Sequence, residues 1–359
     1  MRGGDGGFAV AAKVHTLVGA ADIGTGLQTI ATAPPSPRRG GAGGGVKPQD
    51  RSPDFTPTPN PSPQGGGGFE GERTSDRGGR IIRIDGVAQS GSGILADYLE
   101  IVWVTPAMDG LFTGAASERR RFLDRLILCF DPAYRTIAGR FERAMTSRNR
   151  LLSDGVRDHA QLSGFERVMA ENGVAVAAAR LEAVSAMAGI VAERKARDPN
   201  SAFPWSDFHL EGDLETKLAN MPAVEAEDAY AQVLRDARER DRAAGRTLDG
   251  PHRSDLAVTH GPKQIAARLC STGEQKALLL GLVLAHAELL TARQEGAAPI
   301  LLLDEITAHL DAHRRAALFE EIIRLKAQAW MTGTDAQAFD ALVKNARFWR
   351  VEGGEVIPA

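Results

Sequence analysis

Apolar and β-branched residues crowd between glycine-rich breakers at FAVAAKV, residues 8–14, and RIIRIDG, residues 80–86, and this pattern predicts two short strands. Between them, from about 33 to 79, Pro, Gly and Ser dominate in PPSPRRGGAGGG and TPTPNPSPQGGGGFEGE. Apolar residues nearly vanish there, so no core can offset the ordering entropy, and a disordered insertion is expected. The strand pattern returns at LEIVWVTP, 99–106, and is followed by GAASERRRFLDRLILCF, whose leucines and Phe122 recur at helical spacing. From about 131 to 246 the chain is rich in Ala, Arg and Glu, with apolar residues three or four apart, as in GVAVAAARLEAVSAMAGIVAER and YAQVLRDARERDRAAGR. These segments predict amphipathic helices, interrupted by DPNSAFPWSDFHL, a strand or loop. The last third alternates. GPHRSDLAVTH leads into a strand, STGEQKALLLGLVLAHAELLTA reads as a helix, and APILLLDEI as a strand buried on both faces. HRRAALFEEIIRLK is a further helix, QAWMTGT a short strand and RFWRVEGGEV a hairpin. Strand and helix in alternation argue for an α/β sheet carrying a helical lobe.

Composition narrows the class. At 359 residues and 43% hydrophobic content the chain can bury two cores. A formal net charge of −3 makes any nucleic-acid surface a matter of local clustering. Such a cluster lies between Glu118 and Arg150, where Arg119, Arg120 and Arg121 are consecutive and Arg148 and Arg150 follow. Arginines in this density suit phosphate backbones, though a solvated helical face pairing with Glu118, Asp124 and Glu142 is the plainer explanation for any single one. Cys129 and Cys270 are too few for a disulfide framework and read as core residues of a protein of the reducing cytoplasm. No run of about 18 consecutive apolar residues occurs, so neither secretion nor a membrane span is expected. His252 reads as a loop or core histidine, Arg253 and Asp255 as a pair, and Trp330 and Met331 as core.

Two segments carry chemistry. The run Ile300 to Glu305 fits a strand delivering two carboxylates to the carboxyl edge of a sheet. There Asp304 suits Mg²⁺, which keeps its waters and takes one or two carboxylates plus phosphate oxygens, and Glu305 suits a water-orienting base. Two solvated acids ending a strand would look the same. In CSTGEQKALLL, Ser271 and Thr272 stand at an N-cap, Glu274 follows at the capping-box interval, and Gly273 leaves the helix N-terminus open to an anion, with Lys276 adding charge. An ordinary capped core helix is again the alternative. Together, a Ser-Thr-Gly-Glu-Gln helix start, about thirty residues, then LLLDE and Asp311 in HLDAHRR form a combination that chance rarely supplies.

The combination resembles the ABC-type ATPases, with these elements as signature motif, Walker B and D-loop. GRTLDGPHRSDL, TPAMDGLFTGAASERRRFLDRLI and RAMTSRNRLL narrow the resemblance to the RecF recombination mediators in their alphaproteobacterial form, over roughly residues 80–352 and more weakly at FAVAAKVHT and DIGTGL. The resemblance implies a partial ABC-type ATPase head, a P-loop NTPase-like sheet, with an inserted α-helical lobe. Residues 1–32 would be residual strands of the ATPase lobe, 33–79 the insertion, 80–130 a Q-loop-like part, 131–246 the helical lobe and 247–359 the signature, Walker B and D-loop. It further implies ATP and Mg²⁺ as cofactors, and an ATP-dependent homodimer whose Ser271, Gly273 and Gln275 touch the nucleotide of the opposite subunit. Thr272, Glu274, Lys276, Asp311 and Thr334 complete the implied nucleotide set, Thr334 lying where relatives carry a switch histidine. The implied partners are single- and double-stranded DNA, RecR and RecO. The implied role is a weak DNA-dependent ATPase that helps load RecA at gaps in replication, repair and the SOS response.

One departure cuts against this. The sequence contains no Gly-Lys pair, hence no GxxxxGK[ST] loop. Three or more missing charge-assisted bonds to phosphate, at about 1.5–3 kcal/mol each, lower ATP affinity at least roughly a thousandfold. The chain alone is therefore expected neither to bind ATP tightly nor to fold robustly, and an ATP-independent DNA or protein interaction module is the main alternative. A transport ATPase subunit is a weaker one, because it would lack both the helical insertion and GPHRSD.

Overall fold

A computed structural model describes residues 9–16, 19–27, 80–89, 92–156, 158–294 and 297–359. The expected disordered insertion lies outside these residues. Among the described residues the chain divides into two compact units, one comprising 13–16, 19–21, 92–156, 158–294 and 297–359, the other 9–12, 22–27 and 80–89.

Toward the N-terminus, β1 (Ala9–Thr16), β2 (Gly19–Leu27), β3 (Arg80–Ile84) and β4 (Val87–Gln89) form a four-stranded sheet in that order. Ile82 and Ile84 alternate inward on β3, and Asp85 and Gly86, both at positive φ, make its tight turn into β4. The apolar pattern predicts β1 and β3, whereas β2 enters the expectation only through DIGTGL.

From residue 92 onward the larger unit continues with β5 (Ile101–Val104) and α1 (Ala116–Leu128). Next come α2 (Tyr134–Ser153) and α3 (His159–Arg197), a 39-residue helix about 60 Å long. Then follow β6 (Ser206–Glu211), α4 (Asp213–Leu218), α5 (Ala223–Asp236) and α6 (Arg238–Ala244). The helical lobe has its own core where α2, α3 and α5 meet around Phe141, Met169, Val174 and Tyr230. Gly173 is required at that crossing, because a Cβ there would lie 2.9 Å from the Tyr230 ring.

The chain returns through β7 (Asp255–His260), β8 (Ile265–Ala266), α7 (Thr272–Arg293) and β9 (Ile300–Leu303). It closes with α8 (Ala312–Leu325), β10 (Ala329–Met331), β11 (Trp349–Glu352) and β12 (Glu355–Pro358). Strands β10, β9 and β5 form a parallel sheet in that order, β6-β7-β8 an antiparallel one, and β11-β12 the expected hairpin. The DPNSAFPWSDFHL segment thus supplies strand β6. Helix α7 is buried nearly all round from Glu274 to Leu290, which explains its almost unbroken apolar sequence. By length and composition α3 and α7 could each cross a bilayer, but the apolar window of α7 is 83% buried within the protein. Its His286 is a core histidine: Nε2 donates to the Leu126 carbonyl at 2.8 Å, Nδ1 is buried without a partner, and burial lowers the pKa to about 4.

Three expectations need correction here. Strand β9 is covered on one face only. Leu301 and Leu303 point into the core, whereas Leu302 is 39% exposed in register with Trp103 and Trp330, because strand side chains alternate. Trp330, at 57% exposure, is therefore not a core residue, while Met331 packs against the core. Asp255 pairs with Arg119, not Arg253, since Arg253 is exposed in the preceding turn. Cys270 is buried, and Cys129 is partly buried against the same core.

Candidate functional site

The signature segment folds as its capping residues dictate. Ser271 caps α7: its Oγ accepts from the Glu274 N–H at 3.4 Å, and Glu274 Oε2 accepts from the Ser271 N–H at 3.0 Å, a complete capping box. Lys263 Nζ donates to Glu274 Oε1 at 2.5 Å, and this ammonium, aided by Ser271, lowers the carboxyl's pKa to about 2. Gln275 turns back to donate to the Cys270 carbonyl at 2.9 Å. Gly273 sits against the loop before α8, where a Cβ would lie 2.5 Å from the His309 carbonyl oxygen. Ser271 and Thr272 are exposed, Gly273 is half-buried, and Glu274, Gln275 and Lys276 are buried.

Lys276 departs from expectation. It is 1% exposed, and its ammonium donates to Asp109 Oδ2 and to the Glu305 carbonyl, each at 3.1 Å, so it is not displayed at the helix N-terminus for a phosphate. The cause is its place on the inward face of α7, beside the segment after β9 and the turn after β5.

At the carboxyl end of β9, Asp304 and Glu305 are exposed, as a ligand-facing pair requires. The Asp304 N–H donates to the Val104 carbonyl at 2.9 Å and continues the ladder to β5. The Thr332 hydroxyl then ties the two acids together: it donates to Asp304 Oδ1 at 2.5 Å and accepts from the Glu305 N–H at 2.9 Å. The polar neighbour of the acid pair is therefore Thr332, immediately after β10, not the exposed Thr334. Only pairing of β10 with β9 brings residue 332 alongside, which the spacing of TGTD could not reveal. Glu305 has φ of 47° and His309 φ of 64°, left-handed values that non-glycine residues rarely adopt and that cluster at functional sites. Asp311 caps α8, accepting from the Arg314 N–H at 2.9 Å, and this bond holds its carboxyl below the usual range.

No group of three or more His, Cys, Asp or Glu side chains suited to a metal occurs among the described residues. Asp304 keeps one oxygen clear of the Thr332 hydroxyl bond and faces solvent, which fits a Mg²⁺ ion completed by water and phosphate oxygens, not an all-protein cage.

The arginine cluster divides. Arg119 is a structural clamp: its guanidinium meets both oxygens of Asp255 at 2.7 Å and the Gly114 carbonyl at 2.7 Å. Arg120 donates to the Ser254 carbonyl at 2.5 Å. Arg148 is fully buried, so it cannot touch DNA; helical geometry aims it into the lobe, against Glu166 and Asp241. Arg121 is exposed, bonding its own helix at the Ser117 carbonyl, and Arg150 is 83% exposed. Exposed Arg135, Arg140 and Arg143 also lie on α2, and spacings of three and seven put Arg140, Arg143 and Arg150 on one face.

No family model matches the chain. The DNA replication and repair protein RecF of Brucella suis biovar 1 is 54% identical over 279 residues, 78% of this chain and 71% of that protein. The RecF of Mesorhizobium japonicum is 46% identical over 356 residues, 99% of this chain and 81% of that one. Among solved structures, the recombination mediator RecF with ATP, of the RecFOR pathway, superposes with a TM-score of 0.69 at 17% identity, covering 98% of this chain and 80% of its own. A second RecF structure of that pathway gives 0.64 at 19% identity over 78% of this chain. The fold is therefore that of an ABC-type ATPase head carrying a helical region, and with identities near one half across more than two thirds of its length, the chain belongs to the RecF family.

Proposed function

We propose that this chain is a cytoplasmic DNA-binding factor of replication and recombinational repair. In this reading it acts at single-stranded gaps with RecR and RecO, and contributes one half of a nucleotide site shared between two copies of itself. The observation that carries the reading is the convergence of three motifs: the α7 N-terminus packs on the loop before α8, and Lys276 of α7 bonds the backbone of Glu305. Relatives named as DNA replication and repair proteins support the DNA role, and a solved RecF with ATP supports the nucleotide. The transport-ATPase alternative finds no support in these relatives.

In this site Ser271, Thr272 and Gly273 offer a helix N-terminus and hydroxyls to the terminal phosphate held by the opposite subunit. Asp304 would hold a hydrated Mg²⁺, which would supply positive charge against the phosphates. Glu305 orients the attacking water, and Asp311 fixes the loop between them. Arg121, Arg135, Arg140, Arg143 and Arg150 form the DNA surface, without sequence preference because they reach phosphates only.

The test is binding of a gapped duplex at two salt concentrations, with and without Mg²⁺-ATP. ATP-stimulated, salt-sensitive binding is expected; loss of binding to every DNA form overturns the reading. A second reading, an ATP-independent interaction module, is favoured by the lack of any Gly-Lys pair. Binding indifferent to ATP, with no micromolar nucleotide affinity in an equilibrium titration, would select it.

A further inference from the structure

Glu305 is unusual in that side chains pin both of its peptide groups. Its N–H donates to Thr332 Oγ1 at 2.9 Å, and its carbonyl accepts from Lys276 Nζ at 3.1 Å. Between these two bonds the backbone sits at φ 47°, a conformation that costs a residue with a Cβ free energy and persists only where surroundings over-determine it. The carboxylate side chain itself points to solvent, so the clamp acts on the backbone and leaves the acid group open.

Lys276 is held for this task. Its ammonium is buried on α7 and anchored by Asp109 Oδ2 at 3.1 Å, from the turn after β5. Moving the lysine to a phosphate would strip Asp109 of its cation, and Asp109 Oδ1 is already buried without a partner. The lysine therefore links three separate segments: the signature helix, the turn after β5, and the corner that follows Walker B.

We propose that Lys276 is a positioning residue for Glu305. With Thr332 at the other end and Asp109 behind it, Lys276 fixes the direction in which the Glu305 carboxylate leaves the sheet edge, and it contacts no phosphate. The consequence for catalysis rests on the reading of Glu305 as the water-orienting acid; the clamp does not.

The test is amide hydrogen exchange on the full chain without nucleotide, so absence of ATP hydrolysis, which would count against the reading of Glu305, leaves this result intact. Lys276→Met keeps the apolar stem and removes the ammonium. It should speed exchange across residues 304–308 by about tenfold or more relative to the rest of β9 and α7. Lys276→Arg, which keeps the charge, should stay within about threefold of the parent. Glu305→Gly in the Lys276→Met background should reverse most of the increase, because glycine adopts the left-handed conformation without a clamp. An increase spread evenly along α7, no increase, or no reversal by glycine overturns the proposal. If Lys276→Met does not fold, Asp109→Asn gives the same reading: a rise confined to 304–308 supports the clamp, and one spread along α7 overturns it.

Discussion

Arg148 and Arg150 stand two residues apart on α2, and the structure uses them in opposite ways. Two residues along an α-helix turn the side chain through about 200°, so one faces the lobe's interior and the other water. Arg148 donates to Glu166 at 3.1 Å, Asp241 at 2.7 Å, Thr247 at 2.9 Å and the Leu234 carbonyl at 2.6 Å, joining α2 to α3, α5 and α6. Arg150 has a single loose ion pair with Asp154 at 3.7 Å. A basic run in a sequence thus holds two populations: cations that knit the fold and cations free to meet a phosphate. Arg119 and Arg120 belong with the first, and Arg121 with the second.

The contrast can be broken most forcefully at its buried end. Arg148→Ala leaves Glu166 and Asp241 buried without this partner and should lower stability by about 3–5 kcal/mol, read as a shift of the urea midpoint. An unchanged midpoint would mean that Arg148 is no hub. A smaller loss, about 1–3 kcal/mol, is expected for Gly273→Ala in the same measurement, because the His309 carbonyl must move to admit a methyl group. The exposed set should behave in the reverse sense. Replacing Arg140, Arg143 and Arg150 together by Gln should change stability by no more than about 0.5 kcal/mol for each residue. The same triple variant should lower the salt dependence of DNA binding by about 0.9 for each phosphate that is no longer neutralised. An unaltered slope would remove α2 from the DNA surface.

Acid titration separates buried from exposed charge more gently. Glu274 has its folded pKa depressed to about 2, so the stability it contributes is present above the ordinary carboxylate range and is lost as pH falls toward about 2. Glu274→Gln should therefore destabilise the protein at neutral pH and flatten that part of the acid limb in a pH series of thermal melts. Arg150→Ala, the smallest change, should leave the melt unmoved, because exposed ion pairs contribute little.

Legibility in the sequence followed how local each feature was. The capping box at Ser271 and Glu274 is set by residues three apart and was readable from spacing, whereas Asp311, which the structure shows capping α8 over the same interval, was read only as part of a motif. The alternating α/β order and the helical lobe were legible for the same reason, as was the carboxyl-end position of Asp304 and Glu305. Strand β2 has only a weak pattern in GAADIGTGL, and its pairing with β3 decides it. Thr332 was hidden because its partners lie 28 and 27 residues away and only the register of β10 on β9 brings it to them.

What the sequence determined by itself is what a single turn or strand can specify: where helices begin, which strands alternate, and which motifs occur in which order. Only the tertiary structure decided which charged side chains are used up inside the protein. Lys276 looks like a phosphate ligand, and Arg148 like a DNA-binding residue, until Asp109, Glu305, Glu166 and Asp241 arrive from distant segments. A charge is compensated by whatever the fold places against it, and that neighbour is not encoded near it in the chain.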